Sequence, residues 1–134
     1  MNLKFIIWFA KSVKNSEIII FCKSRSKMDE ILEKITDLAG VNLVELYKKD
    51  NYQYLLIDNS WIRFLEYSYF DGINIPGLKA NLLVFSDQEI WDSNKEFREQ
   101  ILMPIFIAPS YYRGERIASS AYFLDTDKYI TYGE

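Results

Sequence analysis

The sequence predicts one α+β domain spanning residues 1–134, a mostly antiparallel β-sheet with two main helices at about residues 26–39 and 87–102. Three observations lead there. The chain of 134 residues matches the size of a single domain and can bury a core without covalent staples. Two stretches repeat apolar residues at helical spacing between capping signals. The remainder is short apolar or alternating runs separated by turn residues, the pattern of strands.

The elements follow in chain order. FIIWFA, residues 5–10, is a continuous apolar run that suits a strand covered on both faces or a short buried helix. With Lys4 in front it imitates a secretory leader, but Lys11 interrupts it before it reaches leader length. EIIIFC, residues 17–22, also suits a strand covered on both faces. The first helix is expected to open with Ser26 and Asp29 at capping-box spacing, and Gly40 stands where a left-handed C-terminal cap belongs. Between these ends Met28, Ile31, Leu32, Ile35, Leu38 and Ala39 form the apolar stripe.

VNLVELYK, YQYLLID and WIRFLEYSYF then read as strands, divided by KKDN and DNS. GINIPG, residues 72–77, is a glycine-rich loop, and ANLLVFS is a further strand. Ser86 with Glu89, and Ser93 with Glu96, repeat the capping spacing, so residues 87–102 form one helix or two short ones, stopped by Pro104. PIFIA, IASSAYFL and KYITY complete the strands. FIAPSYYRGERIASS, residues 106–120, is a hairpin tip in which Gly114 supplies the positive φ of a tight connection.

Composition narrows the function. Apolar residues make up 49% and charged residues 26%, which is ordinary for a globular chain. No run is long enough to span a bilayer. A single cysteine, Cys22, excludes an intrachain disulfide, and the expected location is the cytoplasm. Residues 1–49 hold nine Lys/Arg against six Asp/Glu (+3), and residues 50–134 hold seven against thirteen (−6), which together give the net −3. That balance disfavours nucleic acid as a partner of the whole surface and favours a basic protein.

The chain has no histidine, so imidazole-activated serine or cysteine nucleophiles are excluded. Cys22, inside an apolar strand, reads as a small hydrophobe. Asp125 and Asp127 have a D-x-D spacing, but a calcium loop would need an oxygen ligand at Tyr129 and a glycine at Ile130, so they read as a turn. KSRSK, residues 23–27, leads from a strand into a helix, where anions can bind, yet it lacks the glycines of a phosphate cradle. No cofactor, metal or catalytic set is expected.

These features lead to the expectation of a non-catalytic binding protein. In size, acidity, aromatic content and lack of catalytic constellations the chain is similar to bacterial immunity proteins, which neutralise a cognate nuclease toxin by covering it; no motif carries that likeness. On this reading the acidic residues Asp87, Glu89, Asp92, Glu96 and Glu99 steer a basic toxin towards the second helix. Trp91, Tyr111 and Tyr112 anchor it, with Arg113 and Arg116 beside them, since Trp, Tyr and Arg dominate binding hot spots. A host-protein inhibitor encoded by a phage is a close cousin. The alternatives are a homodimeric or chaperone-like subunit pairing strands such as WIRFLEYSYF, and a small hydrolase using Glu66, Asp58 or Asp125.

Overall fold

Ile18, Ile19, Ile20, Phe21 and Cys22 are each completely shielded from solvent. Successive side chains of a strand point to opposite faces, so such a run needs a layer on both sides of the sheet. Strand β1 (Glu17–Cys22) accordingly lies in the interior of a seven-stranded sheet. The computed structural model describes residues 2–13, 15–40, 44–49, 52–66, 80–93, 95–97, 99, 110–112, 115–117 and 119–132.

Helix α1 (Leu3–Ser12) precedes β1, and helix α2 (Arg25–Ala39) follows it. A meander of β2 (Val44–Lys49), β3 (Tyr52–Ile57) and β4 (Ser60–Glu66) comes next, then β5 (Leu82–Phe85) and the short helices α3 (Gln88–Ser93) and α4 (Lys95–Phe97). A separate hairpin of β6 (Ser110–Tyr112) and β7 (Glu115–Ile117) leads to β8 (Ser119–Phe123) and β9 (Lys128–Tyr132). The sheet order is β2-β3-β4-β1-β5-β8-β9.

The α+β expectation stands, but the sheet is mixed. Strands β4, β1, β5 and β8 run parallel, and the antiparallel pairs β2–β3, β3–β4 and β8–β9 lie towards the edges. Hydrophobic periodicity reports burial; it does not report the direction of the partner strand. WIRFLEYSYF cannot serve as a dimer edge through its described part, because β4 has neighbours on both sides. The two edge strands, VELYKK and KYITY, carry lysines, a device that discourages edge-to-edge pairing.

FIIWFA is the buried helix of the two readings. Leu3, Ile6, Ile7, Phe9 and Ala10 are buried, while Lys4, Trp8 and Lys11 point to water. The Asn2 side chain accepts from the Phe5 amide at 3.2 Å and caps the start. Helix α2 begins one residue earlier than the sequence suggests. Ser24, not Ser26, is its cap, accepting from the Lys27 amide at 3.2 Å, and Asp29 instead lies 3.7 Å from Arg25. Gly40 does close the helix, at φ 87.

Of the region expected at 87–102 the described residues include α3 and α4, and the stop at Pro104 lies outside the described residues. So do GINIPG and PIFIA. In the stretch 106–120 the strands reach closer to the tip than expected, pairing Ser110 with Ile117, Tyr111 with Arg116 and Tyr112 with Glu115.

Helices α1 and α2 share one core with Ile18, Ile20, Cys22, Leu82, Val84, Tyr122 and Leu124. On the other face Ile90 and Trp91 of α3 join Ile19, Phe21, Leu83, Phe85, Ala121 and Phe123. No described helix is long and apolar enough to cross a membrane.

Candidate functional site

Parallel strands gather their carboxyl ends on one edge, and in open α/β sheets ligands bind where neighbouring connections leave in opposite directions. Here that point lies between β1 and β5. From β1 the chain passes into α2 on one face and reaches β4; from β5 it passes into α3 on the other face and reaches β8.

Three loops meet there. After β1 the Lys23 amide donates to the Ser86 hydroxyl oxygen at 2.9 Å, and the Ser86 hydroxyl donates to the Asp87 carboxylate at 2.8 Å. The Lys23 ammonium pairs with Glu89 of α3, and that bond raises the lysine pKa. From the turn after β8, Asp125 accepts from the Gln88 amide at 3.0 Å and so caps α3 from across the sheet. Thr126 donates to the Gln88 side chain at 2.8 Å. Arg25, at 47% side-chain exposure, and Lys27, at 35%, stand at the N-terminus of α2, where the helix dipole favours anions.

Asp125 and Asp127 thus occupy a turn, as their sequence context suggests. Asp127 adopts φ 55 and accepts from the Tyr122 hydroxyl. Burial, followed by the hydrogen bond to Asp127, pushes the Tyr122 pKa up to about 12. Cys22 lies inside the same edge, and its thiol is pushed up to about 12 by burial first and by Asp87 and Glu66 next. A thiol held protonated is a weak nucleophile.

The expected partner-binding residues separate into groups. Asp92, Glu96 and Glu99 are exposed, as is Glu89, although Glu89 is engaged by Lys23. Asp87 is half-buried and hydrogen-bonded to Ser86. Trp91 cannot anchor a partner: it is 5% exposed, with ring centroids 5.7 Å from Phe85 and 6.1 Å from Phe123. A large ring on the inner side of a six-residue helix fills the core, and sequence spacing alone could not assign that side. Tyr111, Tyr112 and Arg116 lie on the separate hairpin, and Arg113 falls outside the described residues.

The carboxylates considered for hydrolysis do not converge. Asp58 sits in the β3–β4 turn at φ 53, at the end of β4 opposite Glu66. Glu66 and Asp125 share the carboxyl edge but are three strands apart, roughly 14 Å at ordinary strand spacing. Working glycosidase pairs stand within about 5–9.5 Å. Arg63 reaches across to Glu17, at 3.7 Å.

In the sequence Ser86 reads only as a helix cap, and Lys23 only as one of several loop charges. The signal was present in three apolar strands that each run straight into polar residues: FC into KS, VF into SD, FL into DT. It becomes legible only once those strands are known to be parallel.

No protein-family model matches the chain, and comparison with curated proteins finds no match. Among solved structures, the large terminase of a thermophilic bacteriophage is similar. Its crystal form 2 aligns at TM-score 0.55 and 14% identity over 92% of this chain and 29% of that one. Its complex with ATP-γ-S aligns at TM-score 0.51 and 13% identity over 78% and 25%. A further structure of the same terminase, in crystal form 3, gives TM-score 0.50 and 10% identity over 77% and 25%. The chain spans little more than a quarter of the terminase length, and at this identity the likeness is one of fold.

Proposed function

We propose that this chain is a terminase-type α/β module that binds a nucleoside triphosphate at the carboxyl edge of its parallel strands and does not turn it over by itself. The observation that carries the reading is Lys23. It sits at the switch point between β1 and β5, its amide held by Ser86 and its ammonium by Glu89. Beside it are Arg25 and Lys27, which pair with Asp29 and Glu30 at the start of a fifteen-residue helix, so a phosphate would have to displace these carboxylates. Three cations and a helix N-terminus are the chemistry of phosphate recognition. A terminase of similar fold is known in complex with ATP-γ-S, and this supports a nucleotide as the ligand to test.

The non-catalytic part of the proposal is supported by a loop too short to enclose the phosphates. The passage from β1 to α2 is only Lys23 and Ser24, without the glycines that let a backbone wrap phosphates. Titration with ATP-γ-S, followed by backbone amide NMR, tests the reading. Saturable shifts confined to residues 23–27 and 86–89 are expected, and Lys23→Ala should weaken binding about tenfold, the effect of about 1.4 kcal/mol. Absence of any saturable shift at millimolar nucleotide overturns it.

A second reading keeps the inhibitor of a basic toxin. It is supported by the −6 balance of residues 50–134 and by the exposed carboxylates Asp92, Glu96 and Glu99. Co-expression with the product of the adjacent gene separates the two readings. A stable one-to-one complex with a basic neighbour, lost in the Asp92→Lys/Glu96→Lys variant, supports inhibition; no complex with such a neighbour removes it.

A further inference from the structure

Helix α1 carries a feature that neither reading uses. Trp8 is 59% exposed, the more exposed of the two large apolar side chains on the described helices that face water. It is not a loose side chain. Its ring stacks on Phe5, with centroids 6.0 Å apart and planes 23° from parallel. Phe5 in turn packs on Tyr122, at 5.1 Å, and on Phe9, at 6.3 Å. Tyr122 is buried and tied through its hydroxyl to Asp127. A ladder of rings therefore runs from the core to the surface, and its outermost member turns one side to Phe5 and much of the rest to water.

Lysines flank that ring on the helix surface. Lys4 is four residues before Trp8 and Lys11 three after, so all three lie on one stripe about 10 Å long. Both lysines are exposed, and neither forms an ion pair among the described residues. Residues 2–15 contain Lys4, Lys11 and Lys14 and no acid, in a chain whose net charge is −3. The local field is thus opposite in sign to that of the whole molecule.

We infer that the outer stripe of α1 is a docking site for single-stranded nucleic acid, one base stacking on Trp8 with phosphates on either side held by Lys4 and Lys11. A pre-oriented aromatic face between two cations that pair with no described residue matches the stacking-plus-backbone chemistry of single-strand recognition. A duplex hides its base faces, so it offers Trp8 nothing to stack on. The overall acidity limits the contact to this stripe and keeps the site short. This inference stands on α1 alone and does not depend on the nucleotide reading.

The experiment is titration of the full chain with a fluorophore-labelled twelve-nucleotide oligothymidine at low salt, with affinity read by anisotropy of the label and stacking by tryptophan fluorescence. Saturable quenching is expected, with log K falling against log salt at a slope of about −1.4 for two phosphates neutralised. Trp8→Ala should abolish the quenching and lower affinity at least tenfold, Trp8→Phe should retain most of the affinity, and Lys4→Glu/Lys11→Glu should weaken it at least tenfold. Circular dichroism checks that each variant is folded. The inference is overturned by unchanged oligonucleotide binding in Trp8→Ala, by equal affinity for a duplex, by an absence of quenching, or by quenching with anionic phosphatidylserine vesicles and not with the oligonucleotide.

Discussion

The two faces of the sheet are covered in opposite ways. One carries α1 and α2, ten and fifteen residues long, and its core is mainly aliphatic, with Ile6, Met28, Ile31, Ile35, Ile18 and Ile20 at its centre. The other carries, among the described residues, the six-residue α3, and its core is built from rings. Phe21 and Phe85 stack with centroids 5.5 Å apart, and Phe85, Phe123 and Trp91 meet at 5.7–6.1 Å. A long helix covers a sheet with many small contacts; a short one does so by contributing a residue that buries about 150–250 Å², the general range for aromatics. Stability on the second face is therefore concentrated in few residues.

That contrast sets the order of expected effects. Phe85→Ala, which removes the ring shared by three aromatic contacts, should cost about 3–5 kcal/mol in urea unfolding. Ile31→Ala on the helical face should cost less, about 2–4 kcal/mol, because neighbouring aliphatics on two long helices can close in. Equal costs would show that the two faces do not differ in this way.

A polar test comes next. Ser60 is fully buried, donates to the Ala10 carbonyl at 2.7 Å and accepts from the Ser16 amide and hydroxyl at 3.2 and 2.9 Å. This one hydroxyl ties the end of α1 to the starts of β1 and β4. Ser60→Ala leaves those groups without their partner and should cost about 1–3 kcal/mol. Gly40→Ala should cost roughly 1–2 kcal/mol, all of it from the left-handed backbone, since an added Cβ meets no atom within 4 Å.

A further effect is read in pH. The Tyr122 pKa in the folded state lies above its ordinary value of 10.0, so the folded state favours the neutral phenol. Its contribution to stability is fully present below pH 10 and is lost as pH rises towards about 12. Tyr122→Phe should flatten the fall in stability between those values, measured as urea midpoints against pH. An unchanged slope would show that the phenol does not carry it.

Much of the fold is legible in residue order. Continuous burial of IIIFC, the stripe from Met28 to Ala39 and its Gly40 stop, and the TD turn after Leu124 all follow from local periodicity and backbone chemistry. The candidate site is far less so. The acids of α3 are visible as charges, but that Trp91 points inward depends on which side of a two-turn helix meets Phe85 and Phe123. Ser26 and Asp29 have the capping spacing, and Ser24 wins because the chain leaving β1 enters the helix there, its Lys23 amide held by Ser86 sixty-three positions away.

Residue order is enough to tell which segments are buried and that charge is divided between a basic first third and an acidic remainder. That the central strands run parallel, and with it which loops share an edge, emerges only in the assembled sheet. The reason is physical: a side-chain pattern records how many faces of a strand are dry, and it is the same for a parallel and an antiparallel neighbour. The direction is chosen by long-range packing, here by the α2 and β2–β3 crossover that returns β4 alongside β1. Lys23, Ser86 and Asp125 become neighbours of one edge as a result.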